Sequence, residues 1–272
     1  MNKPLARIFK ILSLCLFLGF SFQLAGKEAP NSSTVEWKNL KSVLFGDKKV
    51  FASNSVIGIE APFRAEDAAV VPISITSKIS QSPEKYIKKI YLLIDKNPTP
   101  VAGIFTLSQK AGRADIETRV RLEEYTFVRA VAELNNGDLH MAHRYVRASG
   151  GCSAPAGKDQ EAALARLGRM KLRTESGLEV GKPARAQVMV SHPNFSGMQM
   201  DQVTRLYVPA RFVKKIEVFH SEEKLLTANL DFAISENPNI RFFFIPTGGD
   251  NLRAEVLDSK NMTFEKSLAV QN

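Results

Sequence analysis

A single cysteine in the middle of the chain is the residue best suited to chemistry. It lies in the stretch RASGGCSAPAGKD, residues 147–159, which contains almost no bulky side chain. A cysteine thiolate is strongly nucleophilic even when roughly a few per cent of the thiol is ionised at neutral pH. Because Gly150, Gly151 and Ser153 offer no apolar wall, we expect Cys152 to be exposed on a flexible arm made of these three neighbours. Cys152 is therefore the candidate site for covalent attachment of a substrate.

The first residues indicate the compartment in which this thiol works. Three basic residues precede an apolar run over 11–24, and the small residues Ala25 and Gly26 follow it. This pattern predicts a secretory signal peptide over 1–26, export, and a periplasmic location. The apolar run is shorter than the ~20 residues that span a bilayer, so no membrane attachment is expected after cleavage. The alternative is a retained N-terminal anchor.

Removal of the signal peptide changes the cysteine count. The chain has two cysteines, and Cys15 lies inside the predicted signal peptide. Cys152 then remains alone in a compartment where disulfides form readily. An unpaired thiol there is either reactive or pairs with another molecule, so we expect a monomer or a Cys152-linked dimer.

Charge and motifs exclude several classes of protein. The formal net charge is +9, and charges of both signs are interspersed without a basic block, so no nucleic-acid partner is expected. The sequence lacks a phosphate-binding glycine loop, a nucleophile elbow and the usual zinc motifs. His140 and His143 lie three apart on a predicted strand and face opposite ways, while His192 is interpreted as a strand-end or turn residue. The motifs alone therefore give poor support for an enzyme, and a metal ion shared by His140 and His143 is not expected.

The elements that must position Cys152 are mostly strands. Ser33 and Glu36 have the spacing of a capping box that begins a helix, and Gly46 ends it. The period then changes to two, most clearly in ADIETRVRLEE, residues 114–124, where apolar and polar residues alternate as on a half-buried strand. An Asn-Gly pair within 135–138 predicts a hairpin turn.

The strand pattern predicts an all-β protein in two parts. Short strands between turn signals recur on both sides of the cysteine, which favours one β-sandwich in each half. The predicted domains are 33–149 and 170–270, joined by a carrier loop and linker over 150–169. Within that linker, residues 160–167 are expected to form a brief helix capped by Asp159.

Several segments resemble a known pair of proteins. IEAPFRAEDAAVVPISI, LIDKNPTPVAGIFTL, RAVAELNNGDLHMAHRYV and SGGC are similar to the Y subunit of the SoxYZ sulfur carrier of bacterial thiosulfate oxidation. SHPNFSGMQ and YVPARFVKKIEVFHSEEKLLTANLDFAISENPNIRFFF are similar to its Z subunit. The chain thus resembles a SoxYZ-like fusion, of the single-chain type found with quinoprotein dehydrogenases.

This resemblance implies a fold and a function. Both halves are expected to be immunoglobulin-like sandwiches, and sulfur intermediates are expected on the cysteine of a Gly-Gly-Cys arm, here Gly150, Gly151 and Cys152. Periplasmic sulfur-oxidation enzymes would load and process the cargo. The resemblance implies that the carrier itself is not an enzyme, has no catalytic residue, and holds no metal, haem or other cofactor. In the family the arm ends the chain, whereas here a second domain follows it, so the arm is tethered at both ends.

Two other functions stay open at this point. One is a periplasmic adaptor or accessory protein of a quinoprotein alcohol dehydrogenase or its cytochrome, with Cys152 incidental. The other is a thiol-dependent redox enzyme, which the chain supports poorly because it has no resolving cysteine.

Overall fold

The computed structural model describes residues 30–52, 54–155, 160–249 and 251–270. Within these ranges the chain forms two α-helices, one 3₁₀ helix over Gln109–Ala111 and fifteen strands. The helices are α1 (Val35–Phe45) and α2 (Gln160–Ala165). The strands are β1 (Val50–Ala52), β2 (Ile57–Glu60), β3 (Val71–Ser77), β4 (Ile87–Ile94), β5 (Val101–Leu107), β6 (Ile116–Val120), β7 (Thr126–Leu134), β8 (Leu139–Val146), β9 (Met170–Thr174), β10 (Ala184–Val190), β11 (Val213–His220), β12 (Glu223–Leu230), β13 (Asn239–Phe244), β14 (Asn251–Asp258) and β15 (Thr263–Ala269).

The strands form two packed sheets, and both sheets run through both halves of the chain. One has the order β1-β8-β7-β4-β5-β12-β11-β14-β15, and the other has the order β2-β3-β6-β13-β10-β9. Strands β1–β8 belong to the first half and β9–β15 to the second. Each half is thus a β-sandwich, as predicted, and the two sandwiches are joined edge to edge.

Two antiparallel strand pairs make the seam between the halves. In the larger sheet β5 pairs with β12, with Gly103–Leu107 opposite Leu226–Leu230. In the smaller sheet β6 meets β13 where Glu117 lies opposite Arg241. Edge strands with unpaired amides invite pairing, and here each half covers the other's edge.

The core is continuous across this seam. In β6 the residues Ile116, Thr118 and Val120 are buried, which confirms the predicted alternation over Ile116–Val120. Beyond the strand the alternation was wrong, because Arg121, predicted to face water, is buried. One cluster of buried apolar side chains includes Phe105 from the first half and Phe244 from the second. Burial of apolar surface is the main favourable term in folding, so this shared core ties the stability of the two halves together.

Helix α1 packs on the other face of the larger sheet. Its buried residues Trp37, Leu40 and Phe45 join a second apolar cluster with sheet residues that include Val131. The N-cap is Thr34, whose side chain accepts a hydrogen bond from the Trp37 amide at 3.0 Å. The predicted capping by Ser33 was therefore wrong by one position.

A buried ion pair lies beneath this helix. Arg129 donates to Asp95 through Nε at 2.7 Å and Nη2 at 2.6 Å, and both side chains are almost fully buried. Nη2 also donates to the Ser32 carbonyl at 2.7 Å, and the guanidinium lies 4.7 Å from the Trp37 ring centroid. This pair fixes the start of α1 against the sheet.

Other predicted elements have mixed outcomes. The Asn-Gly turn connects β7 to β8 and Gly137 has a φ of 89°, as predicted for this hairpin. The predicted linker helix over 160–167 is present as the shorter α2. Asp159, Cys15 and the predicted signal peptide 1–26 lie outside the described residues. Among the residues that are described, no helix is long and apolar enough to cross a membrane.

The shared core predicts that the halves unfold together. Leu226 lies opposite Leu107 at the seam and is buried. Leu226→Ala should lower the free energy of unfolding by about 2–5 kcal/mol through lost burial and a cavity. Because the only tryptophan, Trp37, lies in the first half, its fluorescence should report the same lowered midpoint as circular dichroism. A Trp37 transition that does not move would contradict a shared core, and Val203→Ala, at a 90% exposed position, is the control.

Candidate functional site

The Cys152 side chain is fully buried. Its exposed fraction is 0%, and its thiol is free. The prediction of an exposed thiol was therefore wrong. The residues adjacent to Cys152 in sequence are too small to bury it, as expected. The side chain is buried instead by segments that are distant in sequence.

The arm around Cys152 is held by hydrogen bonds rather than flexible. The amides of Gly150 and Gly151 donate to the carbonyls of Glu123 and Leu122 at 2.9 and 2.8 Å. The Glu123 carboxylate accepts from the Cys152 amide at 2.9 Å, the Ser153 amide at 3.1 Å and the Ser153 hydroxyl at 2.8 Å. Four consecutive residues of the arm are thus attached to two residues at the start of the β6–β7 turn.

The two glycines allow this close packing. A Cβ at Gly151 would lie 2.0 Å from the Ala68 carbonyl oxygen, so any side chain there would clash with backbone. Gly150 has a φ of 77°, in the left-handed region that favours glycine. Gly151 thus allows the Ala68 backbone to approach closely, and Gly150 adopts a left-handed backbone conformation. The prediction that these glycines make the arm flexible was wrong.

A loop of the second half closes the other side of the site. The Ser196 hydroxyl donates to the Cys152 carbonyl at 2.6 Å, and Ser196 is itself buried. Cys152 therefore lies at the junction of the two halves, although it belongs to the first.

Arg121 crosses the same junction. This arginine is 2% exposed, and its Nη1 donates to the carbonyls of Asn194 at 2.7 Å, Ile234 at 2.9 Å and Phe232 at 3.0 Å. Its Nη2 donates to the Pro193 carbonyl at 3.4 Å, while Nε has no hydrogen-bond partner in the part of the chain that the structure describes. A side chain of the first half thus binds the backbone of two loops of the second.

Asn97 fixes the backbone that carries these residues. Its side-chain amide donates to the Arg121 carbonyl at 2.8 Å, and its carbonyl oxygen accepts from the Glu123 amide at 3.0 Å. Asn97 is buried. It therefore sets the turn from which Arg121 faces the junction and Glu123 faces the arm.

The surroundings of Cys152 suppress ionisation of the thiol. Burial, followed by the charge of Glu123, raises the pKa of Cys152 to about 12, and Asp231 adds a smaller effect in the same direction. Arg121 opposes this by favouring the thiolate. Burial in turn lowers the pKa of Arg121. At pH 8 a pKa of about 12 leaves roughly one thiol in ten thousand ionised, so the enclosed thiol is a weak nucleophile.

A buried histidine supports the loop that Arg121 binds. His192 follows β10, as expected from its sequence position, and its Nδ1 accepts from the Asn194 amide at 3.0 Å. Asn194 in turn donates to the Ile234 carbonyl at 3.0 Å. Burial lowers the pKa of His192 to about 4, although Asp258 lies 3.7 Å from Nε2. His192 is therefore neutral at ordinary pH, and its hydrogen bond with the Asn194 amide supports the loop.

Two basic residues that flank Cys152 in sequence do not explain its electrostatics. Arg147 lies over the Phe63 ring, 4.7 Å from the centroid, and Lys158 lies outside the described residues. The charged residues that act on the thiol are instead Arg121, Glu123 and Asp231, and Ser196 binds the Cys152 backbone. None of these four residues was predicted as part of the site. Over the described ranges no group of three or more His, Cys, Asp or Glu side chains is placed to hold a metal ion.

Each half of the chain matches a known protein family. The profile of "Sulfur oxidation protein SoxY" matches residues 41–152, and that of "Sulphur oxidation protein SoxZ" matches residues 172–269. Both halves are thus sulfur-oxidation family domains, which confirms the resemblance noted in the sequence. The chain thus carries a SoxY domain followed by a SoxZ domain and is a SoxYZ-like fusion.

Solved structures with similar regions come from several kinds of protein. The sulfur carrier protein SoxY from Chlorobium limicola f thiosulfatophilum is 22% identical, with a TM-score of 0.34, over 42% of this chain and 91% of that chain. A superoxide reductase (neelaredoxin) from Ignicoccus hospitalis is 15% identical, with a TM-score of 0.31, over 34% of this chain and 79% of that one. A β-glycosidase from Bacteroides vulgatus is 7% identical, with a TM-score of 0.24, over 80% of this chain and 25% of that one. No curated protein sequence matches the chain.

The Glu123 contacts predict that this residue controls the reactivity of Cys152. Glu123→Gln removes the negative charge that raises the thiol pKa and weakens the hydrogen bonds to the arm. The rate of Cys152 alkylation by iodoacetamide at pH 8 should therefore rise at least several-fold, measured by intact mass against time in chains that carry Cys15→Ser, so that Cys152 is the remaining cysteine.

Glu124→Gln is the matched control, since Glu124 is exposed and pairs only with Lys96 at 3.5 Å among the described contacts. Its alkylation rate should equal that of the wild type, and all three proteins should react equally in 8 M urea. Equal rates for Glu123→Gln and wild type in the folded state would contradict the assignment.

The lowered pKa of His192 predicts loss of stability in mild acid. Between pH 6.5 and 4 the unfolded chain takes up a proton at His192 that the folded chain excludes, so the free energy of unfolding falls as the pH falls. The contribution of this residue is about 3 kcal/mol over that interval. His192→Asn, which retains an acceptor for the Asn194 amide, should remove this part of the pH dependence in urea titrations at pH 7, 5.5 and 4. An unchanged slope would show that His192 is not responsible.

Proposed function

We propose that this protein is a non-catalytic carrier that holds sulfur-containing intermediates covalently on Cys152. The observation that carries the proposal is the position of this cysteine. It is the last residue of the SoxY match, and it is held between that domain and the SoxZ domain by hydrogen bonds to Glu123 and Ser196. A thiol that both domains enclose is a reason for the two domains to share one chain.

Thiol–disulfide exchange is the chemistry that suits this site. The Cys152 thiolate attacks an S–S bond presented by a partner enzyme, a new S–S bond forms at Cys152, and the partner's sulfur leaves as a thiolate. One S–S bond breaks and one S–S bond forms, so the exchange involves no net oxidation and needs no other oxidant. Release is the same reaction in reverse, with the partner's thiolate as the attacking group.

Transfer requires that the arm opens. In the enclosed position the thiol is fully buried and its pKa is raised to about 12, so it is both inaccessible and protonated. Opening breaks the hydrogen bonds that residues 150–153 make to Leu122 and Glu123 and the one from Ser196. Local openings of this kind cost less free energy than global unfolding, and a docked partner offsets the cost by binding the open arm.

The partners and the compartment form part of the same proposal. Enzymes that oxidise sulfur compounds of the thiosulfate type would load and unload Cys152. The predicted signal peptide supports export to the periplasm, where an unpaired thiol meets such enzymes. The second domain supplies the loop that closes over the thiol and half of the surface around it.

Mass analysis of the protein from its native source tests the proposal. Intact mass should reveal additional sulfur or sulfur and oxygen on the wild-type chain during growth on thiosulfate. Dithiothreitol should remove the added mass, because the attachment is an S–S bond. Cys152→Ser should carry none of it.

The control is the same strain grown without a reduced sulfur source, in which the adduct should be scarce. Unmodified wild-type protein during active thiosulfate oxidation would contradict the carrier role. Full activity of the Cys152→Ser strain would also contradict it, and would favour an adaptor that binds its partner without the thiol.

A further inference from the structure

Arg121 has a buried hydrogen-bond donor without an acceptor. Its Nη1 and Nη2 groups bind four backbone carbonyls, but Nε, with less than 1 Å² of exposed surface, has no partner among the described residues. Buried polar groups are nearly always paired, and an unpaired N–H of a charged group is costly. An unpaired donor of this kind suggests that a second occupant of the site supplies the acceptor.

The guanidinium and the thiol occupy the same junction. Cys152 is attached through its amide to Glu123 and through its carbonyl to Ser196. Arg121 lies two residues before Glu123 and binds the carbonyl of Asn194, two residues before Ser196. The same two segments thus hold both groups, and the charge of Arg121 accordingly favours the Cys152 thiolate.

The two acidic residues that act on the thiol are carboxylates that accept hydrogen bonds from other groups. The Glu123 carboxylate accepts three hydrogen bonds from Cys152 and Ser153. Asp231 accepts from the Thr99 hydroxyl at 3.0 Å and from the Phe232 amide at 2.7 Å. Among the charged groups that act on the thiol, Arg121 is therefore the one with an unused hydrogen-bond donor.

We propose that Arg121 is the anion-binding residue of the carrier site and that its Nε–H donates to the negatively charged end of a group attached to Cys152. The class of group is an S-linked chain ending in sulfonate-type oxygens. This inference rests on the proposed covalent attachment and adds the residue that distinguishes charged cargo from neutral cargo.

The physical basis is a charge-assisted hydrogen bond in a buried site. A guanidinium N–H to an anionic oxygen is among the stronger hydrogen bonds in proteins, and removal from water strengthens it. A neutral group of the same size would accept only a weaker hydrogen bond from Arg121 Nε–H. A cationic group would be repelled by the positive charge of the guanidinium. The bound state should therefore favour anionic over neutral over cationic groups.

Chemical loading of Cys152 tests this order directly. The 2-sulfonatoethyl, 2-hydroxyethyl and 2-aminoethyl methanethiosulfonates each transfer their thioalkyl group to a thiolate, with methanesulfinate as the leaving group. The full chain with the substitution Cys15→Ser, in which Cys152 is the remaining cysteine, is loaded in urea, where Cys152 is accessible, and then refolded by dilution. Thermal midpoints of the three adducts are compared at pH 7, and the sulfonatoethyl adduct should exceed the hydroxyethyl adduct by roughly 2–4 °C. The aminoethyl adduct should lie below both.

Substitutions at Arg121 test whether this residue is responsible. Arg121→Met should abolish the difference between the sulfonatoethyl and hydroxyethyl adducts, whereas Arg121→Lys should restore part of it. Comparison of adducts within each variant removes the general cost of losing the backbone contacts. Arg119→Met, at a half-buried guanidinium that donates to the Asn237 carbonyl at 3.2 Å, should keep the full difference. A difference that persists in Arg121→Met would overturn the proposal.

A measurement on the wild-type chain covers the case in which Arg121→Met does not fold. The ¹⁵N–¹H resonance of the Arg121 Nε–H, assigned with Arg121→Lys, should shift downfield in the sulfonatoethyl adduct relative to the hydroxyethyl adduct. An identical resonance in both adducts would overturn the proposal. Since these adducts are made chemically, the outcome is independent of the native mass analysis, and failure of either proposal can be recognised separately.

Discussion

A buried guanidinium between the two halves is the constraint on which the site depends. Arg121 extends from the first sandwich and binds the carbonyls of Pro193, Asn194, Phe232 and Ile234 in the second. Those contacts fix the loop that brings Ser196 to the Cys152 carbonyl. Without the contacts of Arg121, only segments of the first half would be held against Cys152. A charge is costly to bury, and here backbone dipoles replace most of the water that it loses.

The seam explains why this arrangement is rigid enough to hold an arm. Both sheets continue from one half into the other, so the loops on either side of Cys152 project from one shared framework. The β5–β12 pair joins the two halves in the larger sheet, and the β6–β13 pair joins them in the smaller sheet. Strand β6 ends at Val120, so Arg121 follows directly from this second pair. Two separate domains on a flexible linker would place the same residues with far less precision.

Local patterns predicted the framework well, and the site poorly. The alternation in β6, the end of α1 at Gly46 and the turn at Gly137 depend on neighbouring residues, so the local sequence is enough to predict them. The burial of Cys152 depends on Glu123 and Ser196, which lie 29 and 44 residues away, and no periodicity reports such contacts. Arg121 continues the alternation of outward-facing charges in β6, but that strand ends at Val120 and the chain turns the side chain inward. A buried arginine therefore looks like a surface residue until the fold is known.

The absence of space at Gly151 has a consequence for how long a bound sulfur group survives. Because backbone packs directly against the arm, the closed form leaves no channel along that side for small thiols such as glutathione. The lifetime of an S–S-linked group would then follow the frequency with which the arm swings out, rather than the intrinsic lability of the bond. In the proposed carrier, transfer to a partner would then depend on opening of the arm, and exchange with low-molecular-weight thiols would be slow because the closed arm blocks their access.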